Sequence, residues 1–253
     1  MVPSEYGLRT RKGTIEHQVS ITGDDTKTLL PFEGQDTANA SLFVASNTGI
    51  YDVTAAGGSP VTELTFGTST GDAGYGIYTA FTNDAGAHFL LYADEVNGLF
   101  TYTESTDTWA AHAALTYAAG TPPAVADISF VMTHKQRVWL VEKDTQTAWY
   151  FGIGTLAGDV TPFYFGSLFP KGGDLVGLWN WPLDGGSGTD DILVPVSRGG
   201  DVTPFQGADP SAAATWTNIG VFAIGQLPAG RRQGGVFNGD FLVRPGCAFL
   251  VLR

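Results

Sequence analysis

The chain has 253 residues, of which 13 are Lys or Arg and 25 are Asp or Glu, a formal charge of −12. Aromatic residues make up 12% and charged residues only 15%, which excludes a disordered chain, since disorder needs high charge and few aromatics. No apolar run approaches the roughly 18 residues that a membrane helix requires, the N-terminus lacks the apolar core of a signal peptide, and no membrane partner is expected. One cysteine, Cys247, excludes an internal disulfide framework or a cysteine-based zinc site and reads as a small buried residue of a strand.

With 34 Gly and 13 Pro, about one residue in five interrupts regular structure, so long helices are not expected. The first 30 residues read as an N-terminal arm or docking strand, with Arg9, Arg11 and Lys12 in GLRTRKG. Residues 31–253 read as one all-β, β-propeller-like domain.

Five hairpins carry that reading. They are SLFVASNTGIYDVT (41–54), HFLLYADEVNGLFTY (88–102), RVWLVEKDTQTAWYF (137–151), DILVPVSRGGDVTPF (191–205) and DFLVRPGCAFLVLR (240–253). In each, two apolar-rich runs flank a turn of Gly, Asn, Asp or Thr. Their first strands centre on Phe43, Leu90, Trp139, Ile192 and Phe241, at spacings of 47, 49, 53 and 49 residues. A hairpin repeated every 40–50 residues is the signature of a propeller blade or a similar array. A hairpin cannot bury its apolar side alone, and stacking neighbours solves that. A β-sandwich with regular strand spacing is the alternative. The looser stretches 67–87 and 156–175 supply further strands, and the Ala-rich segment 106–120 suits a short helix, an outer strand or a loop.

Motifs of known chemistry are scarce. His17, His88, His112 and His134 lack metal-ligand spacing, and neither a nucleophile elbow nor a phosphate-binding loop occurs. FGIGTLAG at 151–158 reads as a loop. Asp184, Asp190 and Asp191 in PLDGGSGTDD are the candidate calcium loop, although the alternating acidic pattern of a known loop is missing and a plain turn is the simpler reading. Asp94, Glu95, Glu142, Asp144 and Asp201 fall at hairpin turns, where acids usually form the turn; two facing each other would suit a glycosidase. Trp179 and Trp181 share one strand face, either packed or free to stack on a glycan. No cofactor is expected. Arg231 and Arg232, in the Gly-bounded loop GQLPAGRRQGG, join Arg9, Arg11 and Lys12 as candidate contacts to acidic neighbouring subunits.

Together, GLRTRKG, SLFVASNTGIYDVT, HKQRVWLVEKDTQTAWYF, the run GGDLVGLWNWPLDGGSGTDDILVPVSRGGDVTPFQGADPS and GQLPAGRR resemble the tail-nozzle, or tail-tubular, proteins of short-tailed bacteriophages over nearly the whole chain. The resemblance implies a non-enzymatic virion protein built of propeller-like domains and assembled in the host cytoplasm. It also implies a homo-hexameric ring below the portal and its adaptor, through which viral DNA leaves without sequence-specific contact. Tail adaptor proteins and tail fibres or spikes are the implied partners, and the ring is a possible gate. An acidic lining would repel phosphates. Members of the group are usually longer, which leaves open whether the propeller closes within this chain. A glycan-binding propeller or glycoside hydrolase is the competing reading, and a plain adaptor or fibre-docking module is a third.

Overall fold

The computed structural model describes residues 2–4, 7–9, 17–18, 21, 24–184, 189–237, 239–246 and 250–252. Five antiparallel sheets follow one another along the chain, and all but the fourth are simple meanders in sequence order. Blade 1 consists of Thr28–Phe32, Ser41–Ala45, Gly49–Asp52 and Val61–Thr65. Blade 2 consists of Ile77–Thr82, His88–Asp94, Gly98–Thr103 and Thr108–Ala111. Blade 3 consists of Ile128–His134, Arg137–Glu142, Thr147–Tyr150 and Thr161–Tyr164.

Blade 4 is the irregular one. The long strands Leu175–Asp184 and Thr189–Ser197 pair along most of their length, and two short strands, Asp201–Val202 and Phe205–Gln206, share the next position. Beyond them lie Phe222–Ala223 and Thr217–Asn218. Blade 5 has three described strands, Gly234–Phe237, Asp240–Val243 and Leu250–Leu252. All five hairpins read from the sequence are present, as the second and third strands of each blade. The fold is all-β and propeller-like.

Three details sharpen the reading of the sequence. Residues 28–30, assigned to the arm, open blade 1, because Leu30 and Phe32 alternate inward with Thr28. The Ala-rich segment gives an outer strand, Thr108–Ala111, after a short 3-10 turn. The acidic stretch is strand up to Asp184 and again from Thr189, with Leu183 opposite Asp190 and Pro182 opposite Asp191. Residues 185–188 of that stretch, and Cys247 in the fifth hairpin, lie outside the described residues. Near the N-terminus, Val2–Ser4 and Gly7–Arg9 form a separate two-stranded ladder.

What holds the blades together is sheet-on-sheet packing through four apolar junctions. Leu30, Phe43 and Ile50 meet Leu90, Tyr92 and Tyr102 between blades 1 and 2. Leu91 and Leu99 meet Val131, Val138 and Leu140 between blades 2 and 3. Between blades 3 and 4, Trp139, 4.7 Å from Tyr150 of its own blade, stacks on Trp216 at 6.1 Å, and Trp216 stacks on Phe205 at 5.4 Å. Between blades 4 and 5, Val194 and Val196 meet Phe241 and Val243. Trp179 and Trp181 belong to this packing: Trp179 sits edge-on to Phe130 and tilted against Phe241, and the Trp181 indole donates to the carbonyl of Gly239 at 3.0 Å.

The first strands of successive blades also touch. Thr79 donates to the Thr133 hydroxyl at 3.2 Å, and the Asn180 amide donates to the Thr133 carbonyl at 2.8 Å. Polar partners at this point satisfy groups that burial would otherwise leave costly. Since neighbouring strands in every blade are antiparallel, the turns between second and third strands share one face with the links from blade to blade. That face positions the site.

Candidate functional site: an arginine cluster where the blades converge

The link from blade 4 to blade 5, residues 224–233, crosses this turn face. Glycine permits the crossing: Gly200, at φ +90° in the blade 4 turn, lies so close to the link that a Cβ there would stand 2.0 Å from the Gly225 carbonyl oxygen. The link ends in Arg231 and Arg232, which reach into three other blades.

Arg231 has a side chain only 1% exposed. Its Nε donates to Glu95 Oε1 at 2.6 Å in the blade 2 turn, and its Nη1 donates to the Leu175 carbonyl at 2.6 Å at the start of blade 4. Asp174 Oδ2 lies 3.1 Å from the same Nη1. Arg198, in the blade 4 turn, grips Asp174 as a fork, with both nitrogen–oxygen distances at 3.2 Å, the strong geometry for a guanidinium and a carboxylate. It also donates to the carbonyls of Pro228 and Gly230 in the link itself. Arg232 donates to Gly76 O at 2.8 Å, at the entry to blade 2, to Lys27 O at 3.3 Å and to the Thr28 hydroxyl, at the entry to blade 1. Arg232 and Lys27 both lie over the ring of Tyr75, at 5.8 and 5.4 Å. Lys143 Nζ donates to the Glu95 carbonyl at 2.9 Å.

Burial alone would raise the Asp174 carboxyl, but hydrogen bonding and charge from Arg198, with the charge of Arg231, outweigh it and hold the group below its ordinary value. Two adjoining cavities flank the link. One of about 620 Å³ is lined by Glu95, Asp144, Asp174 and Arg198, and one of about 540 Å³ by Asp72, Tyr75, Lys143, Arg231 and Arg232. Their bonds to Arg231 and Arg198 suit Glu95 and Asp174 to holding the link in place.

The candidate residues fare differently. Arg231 and Arg232 come together, Arg231 buried and Arg232 still exposed at the surface. Arg231 is buried within its own chain and is not available to a neighbouring subunit, with its Nε and Nη1 held by Glu95, Asp174 and the Leu175 carbonyl. The backbone of Arg9 lies in the N-terminal ladder, whereas Arg11 and Lys12 lie outside the described residues. Of the calcium candidates, Asp184 and Asp190 have only their strand backbones described, and Asp191 is half-buried. Among the described residues, no group of three His, Cys, Asp or Glu side chains could hold a metal ion, and no helix is long and apolar enough to cross a membrane.

The turn acids are mostly structural. Asp94, 1% exposed, accepts the amides of Val96 and Asn97 at 2.8 and 2.6 Å. Asp201 accepts the Lys171 amide at 2.7 Å, and Glu142 accepts the Trp149 indole at 2.8 Å. Sequence reading missed Arg198, Asp174 and Lys143. The available signal was positional: Glu95, Lys143, Asp144 and Arg198 recur at the hairpin turns of consecutive repeats, and such turns share one face of a propeller.

No protein-family model matches the sequence, and no curated protein matches it. Among solved structures, the chain is similar to Raptor of Chaetomium thermophilum, with a TM-score of 0.51 and 11% identity over 88% of this chain and 19% of that one. It is also similar to BBS1N from a complex with ARL6DN, with a TM-score of 0.47 and 11% identity over 97% of this chain and 66% of that one. Both are β-propeller-containing proteins. At this identity the likeness concerns the fold alone.

Proposed function

We propose that this chain is a non-enzymatic structural subunit of the tail of a short-tailed bacteriophage, a propeller component of the nozzle ring through which the genome leaves. One observation carries the reading beyond the resemblance. The end blades carry apolar residues on both faces, yet none of the apolar clusters among the described residues joins blade 1 to blade 5. A subunit with unspent apolar faces at both ends suits an assembly in which neighbours complete one another. A net charge of −12 also suits a conduit past which duplex DNA moves without being held.

Quantitative mass spectrometry of density-purified particles tests this. The chain is expected at about six copies per particle, the count of a closed hexameric ring; absence from particles overturns the reading.

A second reading rests on the placement of Glu95, Asp144 and Asp174 around one cavity. Carboxylates so grouped suit a glycan ligand or a glycosidase. That reading expects soluble protein to bind a surface polysaccharide and to lose the binding in Asp144→Asn, the carboxylate change that leaves the arginine pairs untouched.

A further inference from the structure

The two end blades differ from the inner ones in a way that names their partner. In blade 5, Phe241 and Val243 turn toward blade 4. The opposite face carries Phe237, 72% exposed, Val251, 41% exposed, and the half-buried Leu242. Strand register puts these three on one side, since Gly235 faces Leu242, Leu242 faces Val251, and Phe237 lies two residues from Gly235.

In blade 1, Leu30, Phe43 and Ile50 turn toward blade 2. The other side carries Leu29, Val44 and Tyr51, aligned across three strands. That side is only partly covered. Ile21 packs on Val44 and Val53, His17 Nε2 is bonded to the Val53 carbonyl at 2.7 Å, and between this segment and the sheet a cavity of about 400 Å³ remains. It is lined by His17, Ile21, Leu29, Leu42, Val44 and Val53. One end of the blade array therefore presents an aromatic knob, and the other an apolar hollow.

We infer that the blade 5 face of one copy, anchored by Phe237, seats against the blade 1 cavity of a second copy. The occupant follows from the repeat. Every internal junction already joins the trailing face of one blade to the leading face of the next through apolar side chains. The exposed face of blade 5 is the trailing face that such a junction requires, and the open side of blade 1 is the leading one. Because knob and hollow lie on different surfaces, the contact is heterologous and propagates head to tail, closing into a ring if the rotation allows. The inference deepens the ring reading and rests on it for the choice of a second copy. A stable contact needs about 800 Å² per partner, so Phe237 acts as the anchor of a wider face that includes Leu242 and Val251.

The test is analytical ultracentrifugation of the purified chain with two variants, Phe237→Asp and Leu29→Glu. Both positions are exposed, Leu29 at 57%, so circular dichroism should be unchanged. The unaltered chain is expected to gain mass with concentration, and each variant alone to sediment as a monomer, with association weakened at least about tenfold, as for a buried aromatic anchor. An equal mixture of the two is expected to form dimers and nothing larger, because one intact knob meets one intact hollow. Should Leu29→Glu unfold, Pro60→Arg at the rim of the same cavity replaces it. A chain that stays monomeric, variants that associate as well as the parent, or a mixture that stays monomeric each overturns the inference. A monomeric chain found in particles sinks only this interface, whereas head-to-tail association by a chain absent from particles sinks only the tail assignment.

Discussion

Blade 3 and blade 5 are written in nearly the same sequence language, yet meet different surroundings. In blade 3 the strand RVWLVE is buried at every position but its last, because blades 2 and 4 cover both faces. In blade 5 the strand DFLV alternates, half-buried and buried, because only blade 4 covers it among the described residues. A continuous apolar run is what two-sided burial demands, and alternation is what one-sided burial leaves. The difference shows that a blade's burial pattern, rather than its apolar residues, records the number of its neighbours. Blade 1 makes the same point from the other end: its strand SLFVA ends in three buried residues, and part of its second face is covered by Ile21 rather than by a blade.

The contrast can be broken by substitution. Trp139→Ala removes a fully buried ring from the junction of blades 3 and 4 and should cost about 3–5 kcal/mol, read as a lower denaturation midpoint. Arg231→Met should come next, at about 3 kcal/mol, because Glu95 loses its arginine and Asp174 keeps only Arg198. If this variant is as stable as the parent, the cluster does not hold the link between blades 4 and 5.

Gly98→Ala sharpens the comparison within the inner blades. Gly98 has φ +84°, and its Cβ would stand 2.3 Å from the Val125 carbonyl oxygen, where the chain enters blade 3. A cost above about 1 kcal/mol is expected, with no equivalent at Gly235, whose added Cβ would meet nothing.

Acid should expose the cluster as well. The folded Asp174 carboxyl is held below its ordinary value, so its stabilisation is complete above the unfolded value of about 3.9. It is lost as pH falls through the lower folded value. Asp174→Asn should therefore flatten that part of the stability profile, and an unchanged acid limb would show that other groups control it. The smallest effect is expected for Phe237→Ser, within about 0.5 kcal/mol on the monomer, since the ring is mostly exposed; a larger loss would mean that blade 5 already packs on something within its own chain.

Much of the fold was legible because it is written in local chemistry. Asn97-Gly98 and Gly199-Gly200 mark their turns by supplying positive φ or close approach, and the runs between them have the length and residue types of strands. The irregular middle of blade 4 was not legible. Thr203 and Pro204 interrupt its third strand into two pieces, each paired to the same neighbour, and nothing local marks where pairing resumes. The arginine cluster was half legible. Arg231 and Arg232 stood out as a charge pair in an acidic chain, but the inward turn of Arg231 did not, because it depends on Glu95, 136 residues away.

The sequence by itself determined the all-β class, the five hairpins and their spacing, since turn residues and apolar strands act over a few positions. Only the tertiary structure decided which face of each blade is covered, which acids meet which arginines, and that Arg231 points inward. Those outcomes are set by how blades stack and by how the link between blades 4 and 5 crosses their turns. They join residues that are distant in the chain, and no local propensity encodes such meetings.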